Sequence, residues 1–274
     1  MKSPIKTFSV ALAALLFSMG AAAFDQTHKA WDDLVKKHVV LVNGGKASKV
    51  NYVAFGKDRA ALKTYLDSLS AVPESEFKGW SKPQQMAFLI NAYNGFTVEL
   101  ILQNYPVTSI KDIGGVFDNR WKRKFFKLFG QDFYLDKIEH ETLRKPGAYD
   151  EPRVHFAVNC ASIGCPMLRE EAFTADKLGK QLEEQTVRFL SDRSRNRYAD
   201  GKLEVSMIFN WFKDDWTSGY KGFDGKTPAI TSREAWFARY AKVLADAPAD
   251  QQKIAEGKAA IGHLEYDWSL NGVN

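Results

Sequence analysis

The run from Met86 to Leu102 (MAFLINAYNGFTVELIL) constrains the fold more than any other segment. Its seventeen residues carry a single charge, Glu99. It is too long for an ordinary strand, so it reads as a helix, and it has no polar face to turn to solvent. Other elements must therefore wrap it on most sides. Ser81 stands ahead of it with Gln84 three residues on and Pro83 in the first turn, a capping-box pattern. Asn104-Tyr105-Pro106 stops it.

The wrapping elements are legible as one-sided helices. Thr27 to Leu41 places Trp31, Leu34, Val35 and His38/Val39 on one face, and Asn43-Gly44-Gly45 ends it. Lys57 to Leu69 does the same with Leu62, Tyr65, Leu66 and Leu69, closed by Pro73. Thr174 to Leu190 turns Leu178, Leu182 and Phe189 inward. Ser232 to Leu244 and Ala249 to His263 are expected as closing helices. Asp136 is a candidate cap for a short helix through Leu143.

Extended segments are few. Lys124–Leu128 and Asp132–Leu135 flank Phe129-Gly130-Gln131 as a β-hairpin. Val154–Val158 reads as a short buried strand, Leu203–Ile208 as an alternating one, and Val50–Phe55 as weakly extended. Asn210 to Gly225 is a loop rich in aromatic residues. No repeat or flexible linker interrupts the chain. With 45% apolar and 13% aromatic residues over 274 positions, the sequence suffices for a sizeable core. The expectation is an α+β fold: one mainly helical domain with a small sheet that includes a β-hairpin.

The first residues read as an address. Lys2 and Lys6 precede the apolar run Phe8–Phe17, and Ala21-Ala22-Ala23 supplies small residues for cleavage. A signal peptide over 1–23 is expected, leaving 24–274 as the domain in a periplasmic or secreted location. The apolar run is short for a membrane span, and no second one reaches the roughly 20 residues a span needs. The formal charge of +5 includes both leader lysines, so no basic nucleic-acid footprint remains. Arg120-Trp121-Lys122-Arg123-Lys124 reads as a solvated hairpin flank. Metal binding lacks support: there is no H-E-x-x-H and no C-x-x-C, and Glu139-His140-Glu141 spreads its side chains. No phosphate-binding loop or dinucleotide fingerprint suggests a cofactor. The expected partner is a small molecule or peptide.

Chemistry concentrates in the middle. Cys160 and Cys165 are the only cysteines, within Asn159-Cys160-Ala161-Ser162-Ile163-Gly164-Cys165-Pro166, and His140 and His155 lie nearby. Of the other histidines, His28 and His263 are expected in solvent and His38 as a satisfied, partly buried ring. Three readings of the cysteines stand side by side. In an oxidising compartment they can bridge, given Cα atoms within about 7 Å. Alternatively Cys160 is a nucleophile with a histidine as base and an orienting acceptor behind it. If Val154–Cys160 were one regular strand, His155 and Cys160 would face apart, favouring His140 as the base. Glu139, Glu141, Asn91 and Asn94 are candidate orienters. The third reading is thiol–disulfide exchange, weakened by four intervening residues instead of two. Asn91 and Asn94 share one side of the apolar helix. They either bond loop backbone or line a polar pocket with the histidines.

Several ordered motifs resemble one family. They are Ala87-Phe88-Leu89-Ile90-Asn91-Ala92-Tyr93-Asn94; Tyr105-Pro106-Val107 followed by Ser109-Ile110; and Leu135-Asp136-Lys137-Ile138-Glu139-His140 with Leu143-Arg144. The most specific block runs from Arg153 through Ser162 and on to Gly164-Cys165-Pro166. Over about 86–212 the chain is similar to the domain-of-unknown-function 547 family. Leu89 stands where many members carry Trp, a packing change. The resemblance implies a common fold without an assigned reaction. Its positions of chemical potential are Asn91, Asn94, Glu139, His140, Arg153, His155, Cys160 and Cys165. The leading expectation is a polar pocket supporting Cys–His acyl transfer or hydrolysis, with Cys160 attacking and His140 or His155 as base. The rivals are a bridged binding or structural module and thiol–disulfide exchange.

Overall fold

The computed structural model describes residues 23–115 and 119–273, so the charged and apolar parts of the expected leader lie outside the described residues. Helix α1 (Lys29–His38) leads into a hairpin of β1 (Val39–Val42) and β2 (Ala47–Val50). Next come α2 (Tyr52–Lys57), α3 (Arg59–Ser70), α4 (Glu74–Gly79) and the long α5 (Lys82–Asn104). At the start of α5, Gln84 Oε1 accepts the Ser81 N–H at 2.9 Å. The helix is buried on all sides along its middle, as its lack of a polar face requires. Helix α3 packs on it through Leu66 and Tyr65, which approach Gly95 closely.

The second half begins with the expected hairpin, β3 (Phe126–Leu128) and β4 (Gln131–Phe133), turning at Gly130 with positive φ. Helix α6 (Leu135–Ile138) continues as a wider π-helical turn over Glu139–Leu143. Helix α7 (Leu178–Ser191) precedes a three-stranded sheet with the order β5 (Arg197–Ala199), β6 (Lys202–Ser206), β7 (Ala260–Leu264). Strands β6 and β7 are parallel. Between them lie α8 (Ile208–Trp211), α9 (Arg233–Arg239), α10 (Ala241–Leu244) and α11 (Pro248–Ala255). The architecture is α+β, mainly helical with small sheets.

Four expectations are corrected. Val154–Val158 is not a strand: Pro152–Phe156 forms a 3-10 turn, opened by Pro152 and capped where Glu151 accepts the Arg153 N–H at 3.1 Å. Val50–Phe55 divides, with Val50 ending β2 and Asn51 capping α2 through the Ala54 N–H. The first helix stops at His38, and its last apolar residues become β1. The last helix stops at Ala255, and Gly257 releases the chain into β7.

Two apolar clusters form the interior. One surrounds α5; the other gathers Phe156, Phe189, Phe209, Trp216 and Trp236. Helix α7 serves both, with Leu178 and Leu182 in the first and Phe189 and Leu190 in the second. The 3-10 turn straddles them as well: Val154 and Ala157 join the first, Phe156 the second. A cleft opens along this seam, as ligand sites tend to between packed units. Beyond β7, residues 265–273 run as a strap across both halves. Leu270 N–H donates to Thr108 O at 2.7 Å, Asn271 N–H to Ala161 O at 3.0 Å, and Val273 N–H to Val50 O at 3.0 Å.

Candidate active site

His155 sits at the seam because the 3-10 turn buries the residues on either side of it. Its Nε2 lies 2.7 Å from Asp215 Oδ2, and its ring stacks on Phe212 at 4.4 Å. Arg144 Nε donates to the same Asp215 oxygen at 2.7 Å while its guanidinium lies 4.3 Å from the Phe212 ring. Burial works against the Asp215 charge, yet the bonds from His155 and Arg144 outweigh it and hold the carboxyl at about 2. Burial pushes His155 below the ordinary imidazole value, with the Asp215 bond opposing. Both directions describe one arrangement: a neutral ring donating Nε2–H to an ionised carboxylate. The lone pair is then on Nδ1.

His140 is placed differently. Arg144 donates to its Nδ1 at 2.8 Å, which leaves the ring N–H on Nε2, 3.7 Å from Asp136. Glu139 is buried, with an oxygen 3.8 Å from His140 Nδ1. Burial raises the Asp136 carboxyl above its ordinary range, although His140 opposes that shift.

The cysteine loop is held rigidly. Asn159 donates its N–H to Asn94 Oδ1 at 2.8 Å and its side-chain amide to Pro166 O at 2.7 Å. Its Oδ1 accepts from the Ala161 N–H at 3.0 Å and from Asn271 Nδ2 at 3.2 Å. Ala161, directly after Cys160, is left-handed at φ 62°, a conformation that costs a non-glycine residue about 1 kcal/mol or more. Buried Arg195 supports the loop from below, donating to the carbonyls of Cys165 and Lys46 while paired with Asp192 at 2.7 Å.

Both cysteines are free thiols, Cys160 partly exposed and Cys165 buried. The Cys160 N–H donates to Cys165 Sγ at 2.9 Å. Cys160 Sγ lies 3.2 Å from Tyr266 Oη and 3.7 Å from Ser162 Oγ. Burial opposes a charge on Cys160, but hydrogen bonds with Cys165, Tyr266 and Ser162 outweigh it and draw the thiol below its ordinary value. Burial and the neighbouring Cys160 push Cys165 well above. The two sulfurs are thus unequal: one poised to ionise, one holding its proton.

Cys160, Cys165, His140, His155 and Glu139 line one cleft of about 140 Å³. Asp136 and a set of aromatic rings complete it: Tyr93, Trp121, Trp211, Phe212, Tyr266 and Trp268. This is small beside the 300–1,000 Å³ of drug-sized sites. Among the described residues no imidazole nitrogen reaches hydrogen-bonding distance of Cys160 Sγ. Thiol and imidazole therefore face a shared space without forming a dyad.

Three expected site residues fall outside the cleft. Asn91 donates to Phe173 O at 2.7 Å and accepts the Phe173 N–H at 3.0 Å. Asn94 donates to Ala157 O at 2.9 Å as well as accepting from Asn159. Both amides are consumed by backbone, so their role is to fix loops on α5. Arg153 is committed to Glu151 at 2.7 Å and Glu183 at 3.3 Å. Neither Glu139, Glu141 nor an asparagine orients His155; Asp215 does. Glu141 instead accepts from Tyr134 Oη at 2.6 Å.

Other expectations also change. Trp121 lines the cleft, not merely a solvated flank. His28 is buried, with Nδ1 2.8 Å from Tyr65 Oη, whereas His263 is exposed as expected. His38 is buried and bonded to Asp58 at 2.7 Å. Among the described residues no group of three or more His, Cys, Asp or Glu side chains is arranged to hold a metal. None of the described helices is long and apolar enough to cross a membrane.

Residues 77–190 match the model of a family described as protein of unknown function, DUF547, and the chain carries a domain of that family. The matched span includes α5, the π-helical turn, the 3-10 turn and the cysteine loop. Asp215 and the strap fall beyond it. No curated protein and no solved structure matched the chain.

Proposed function

We propose that this chain, a carrier of the DUF547 domain, is an exported thiol-dependent acyltransferase or hydrolase acting on a small substrate. One observation carries the reading: a partly exposed cysteine drawn toward its thiolate and an imidazole fixed by a carboxylate line the same narrow cleft.

In the first step Cys160 Sγ⁻ attacks an acyl carbon. A C–S bond forms, the carbonyl electron pair shifts to oxygen and returns, and the leaving group departs with the electrons of its own bond. That group takes a proton from water. In the second step a water or an acceptor hydroxyl attacks the thioester while His155 Nδ1 removes its proton. The product acid or ester is released and Cys160 Sγ⁻ is restored. The imidazolium returns its proton to solvent, which balances the one taken by the leaving group. Burial keeps the His155 ring unprotonated and able to accept at neutral pH, and the Asp215 carboxylate stabilises the imidazolium that forms. The space between sulfur and imidazole is where the acyl group would sit.

Export rests on the leader pattern and on the contacts made by Phe24. Phe24 packs its ring at 5.3 Å from Phe88 and 5.7 Å from Trp80, and its nitrogen lies 3.3 Å from Glu76 Oε1. An α-ammonium created after Ala23 would meet that carboxylate.

The test is p-nitrophenyl acetate with intact-mass readout. Acetylation of Cys160, its loss in Cys160→Ala, and accumulation of the acetyl form in His155→Gln are expected. Acetylation elsewhere, or none, overturns the reading. A second reading, thiol–disulfide exchange or a structural bridge, is favoured by the contact of Cys165 with the Cys160 backbone. Cys165→Ser separates the two: acetylation of Cys160 survives it, whereas turnover of glutathione disulfide would not.

A further inference from the structure

Glu139 is the one cleft residue whose burial lacks a matching charge. It is only 9% exposed, yet among the described residues no lysine or arginine lies within ion-pair distance of it. Its nearest titratable neighbours are the buried phenol of Tyr93, which hydrogen-bonds it, His140 at 3.8 Å, and Asp136, which shares the cleft. Arg144, the closest arginine along the chain, is already spent. It donates to Asp215 and to His140 Nδ1, and it sits against Phe212. Lys122 bears on Asp136, but it does not line the cleft. The lining therefore holds two carboxylates and no lysine or arginine. A neutral phenol does not offset the charge of a buried carboxylate, so a cationic group entering the cleft would meet a charge that nothing else there balances.

The walls agree. Trp121, Trp211 and Trp268 border the space, with Trp211 and Trp268 stacked at 5.8 Å. Indole faces attract ammonium and guanidinium groups through the ring quadrupole, and they do so best where water is excluded. Carboxylates and indoles lining one cleft together favour a cation over a neutral or anionic group. The substrate would then extend from that cation toward Cys160.

Resting on the thiol reading above, we infer that the cleft recognises a small cationic compound whose ammonium or guanidinium group is held by Glu139 and the indole rings, which presents its acyl carbon to Cys160. Glu139 is the specificity-determining residue, and Asp136 adds to the field.

Two measurements test this separately from the thiol chemistry. In the first, reduced full-length protein is treated with cationic 2-(trimethylammonium)ethyl methanethiosulfonate, the anionic 2-sulfonatoethyl reagent and the neutral methyl reagent. Adducts are located by peptide mass, and each rate is divided by that for free 2-mercaptoethanol. The cationic reagent should label Cys160 about tenfold faster than the anionic one, the factor of one favourable charge contact. Glu139→Gln should remove most of that preference. Equal corrected rates, or a preference indifferent to Glu139→Gln, overturn the inference while the thiol reading stands. In the second, Cys160→Ala protein is titrated with phenethylamine and with 3-phenylpropionate. Binding of the amine alone supports the inference even if Cys160 proves unreactive to the neutral reagent, an outcome that would remove only the thiol reading. Binding of neither, or of both equally, overturns it.

Discussion

Asp267 crosses Gly164 so closely that a Cβ on the glycine would stand 3.0 Å from both its backbone nitrogen and its carbonyl oxygen. The same Cβ would meet the Tyr266 ring at 3.0 Å. The cysteine loop and the strap are thus joined backbone to backbone. Gly164 N–H donates to Asp267 O at 2.8 Å and Ile163 N–H to Ser269 O at 2.8 Å. This contact places Tyr266 Oη on Cys160 Sγ, so a residue near the end of the chain sets the state of a thiol more than a hundred positions earlier.

Gly164→Ala should therefore act twice. Neither side of the contact is a flexible side-chain tip, so the strap must shift, at a cost of about 1–3 kcal/mol typical of overpacking. Thermal unfolding reads that loss. The displaced Tyr266 should also leave Cys160 with a higher pKa, read from the pH dependence of iodoacetamide labelling. A stability loss without a shifted labelling profile would mean that the strap does not position the hydroxyl.

Tyr266→Phe isolates the hydroxyl. The ring and its tilted contacts with Trp211 at 4.9 Å and Trp268 at 4.6 Å are kept, and the fold should be unchanged. The Tyr266 phenol is itself pushed well above its ordinary value, chiefly by burial, so it donates throughout the neutral range. Removing a donor to a charged acceptor forfeits about 1.5–3 kcal/mol, or roughly one to two pKa units. The midpoint of Cys160 alkylation should rise by about that much. An unmoved midpoint would show that the thiolate owes nothing to Tyr266.

The two asparagines of α5 should separate stability from chemistry. Asn91→Ala strips both partners from the Phe173 backbone, leaving a buried N–H and a buried C=O unmet at about 1–3 kcal/mol each. Urea unfolding should report that loss, and Cys160 labelling should not change. Asn94→Ala frees the Asn159 N–H and so loosens the cysteine loop itself. It should lower stability and also alter the labelling rate. Equal effects of both substitutions on labelling would return Asn91 to the site.

The central helix was legible because its cause is local: seventeen residues with one charge and a cap pattern admit few conformations. The β3–β4 hairpin was legible for the same reason, through Gly130. The turn at Pro152–Phe156 was not. Val154, His155 and Phe156 are all buried, two of them strand-forming types, and periodicity does not distinguish a buried strand from a buried turn. With that strand went the parity reasoning that set His155 against Cys160. The cysteines and histidines of the cleft were visible as reactive types close in sequence. Asp215, Arg195 and Tyr266 were not, because they lie 60, 30 and 106 positions from the groups they serve. A buried histidine needs an acceptor, but only tertiary folding names it. Tyr266-Asp267-Trp268 past the last expected helix was the one unused signal, aromatic residues with no element to belong to.

His28 predicts how the fold responds to acid. Its backbone is left-handed at φ 51°, its Nδ1 bonds Tyr65 Oη at 2.8 Å, and Nε2 is buried without a partner among the described residues. Burial, opposed by the nearby Asp25 charge, pulls its pKa down to about 4 from an ordinary 6.5. The unfolded chain therefore takes up the proton first. Stability from this site is complete above pH 6.5 and is lost progressively as pH falls toward 4, up to about 3 kcal/mol at one such shift. His155, shifted in the same direction, adds to the decline. Asn is the replacement that tolerates the left-handed backbone and keeps a polar atom near Tyr65. Urea unfolding at pH 7 and pH 4.5 should show the wild-type protein losing about 2–3 kcal/mol more than His28→Asn over that interval. Carboxylate contributions are common to both proteins and cancel. Parallel losses in the two proteins would mean that His28 is protonated in the native state at pH 4.5, and that the packing around its ring opens to water.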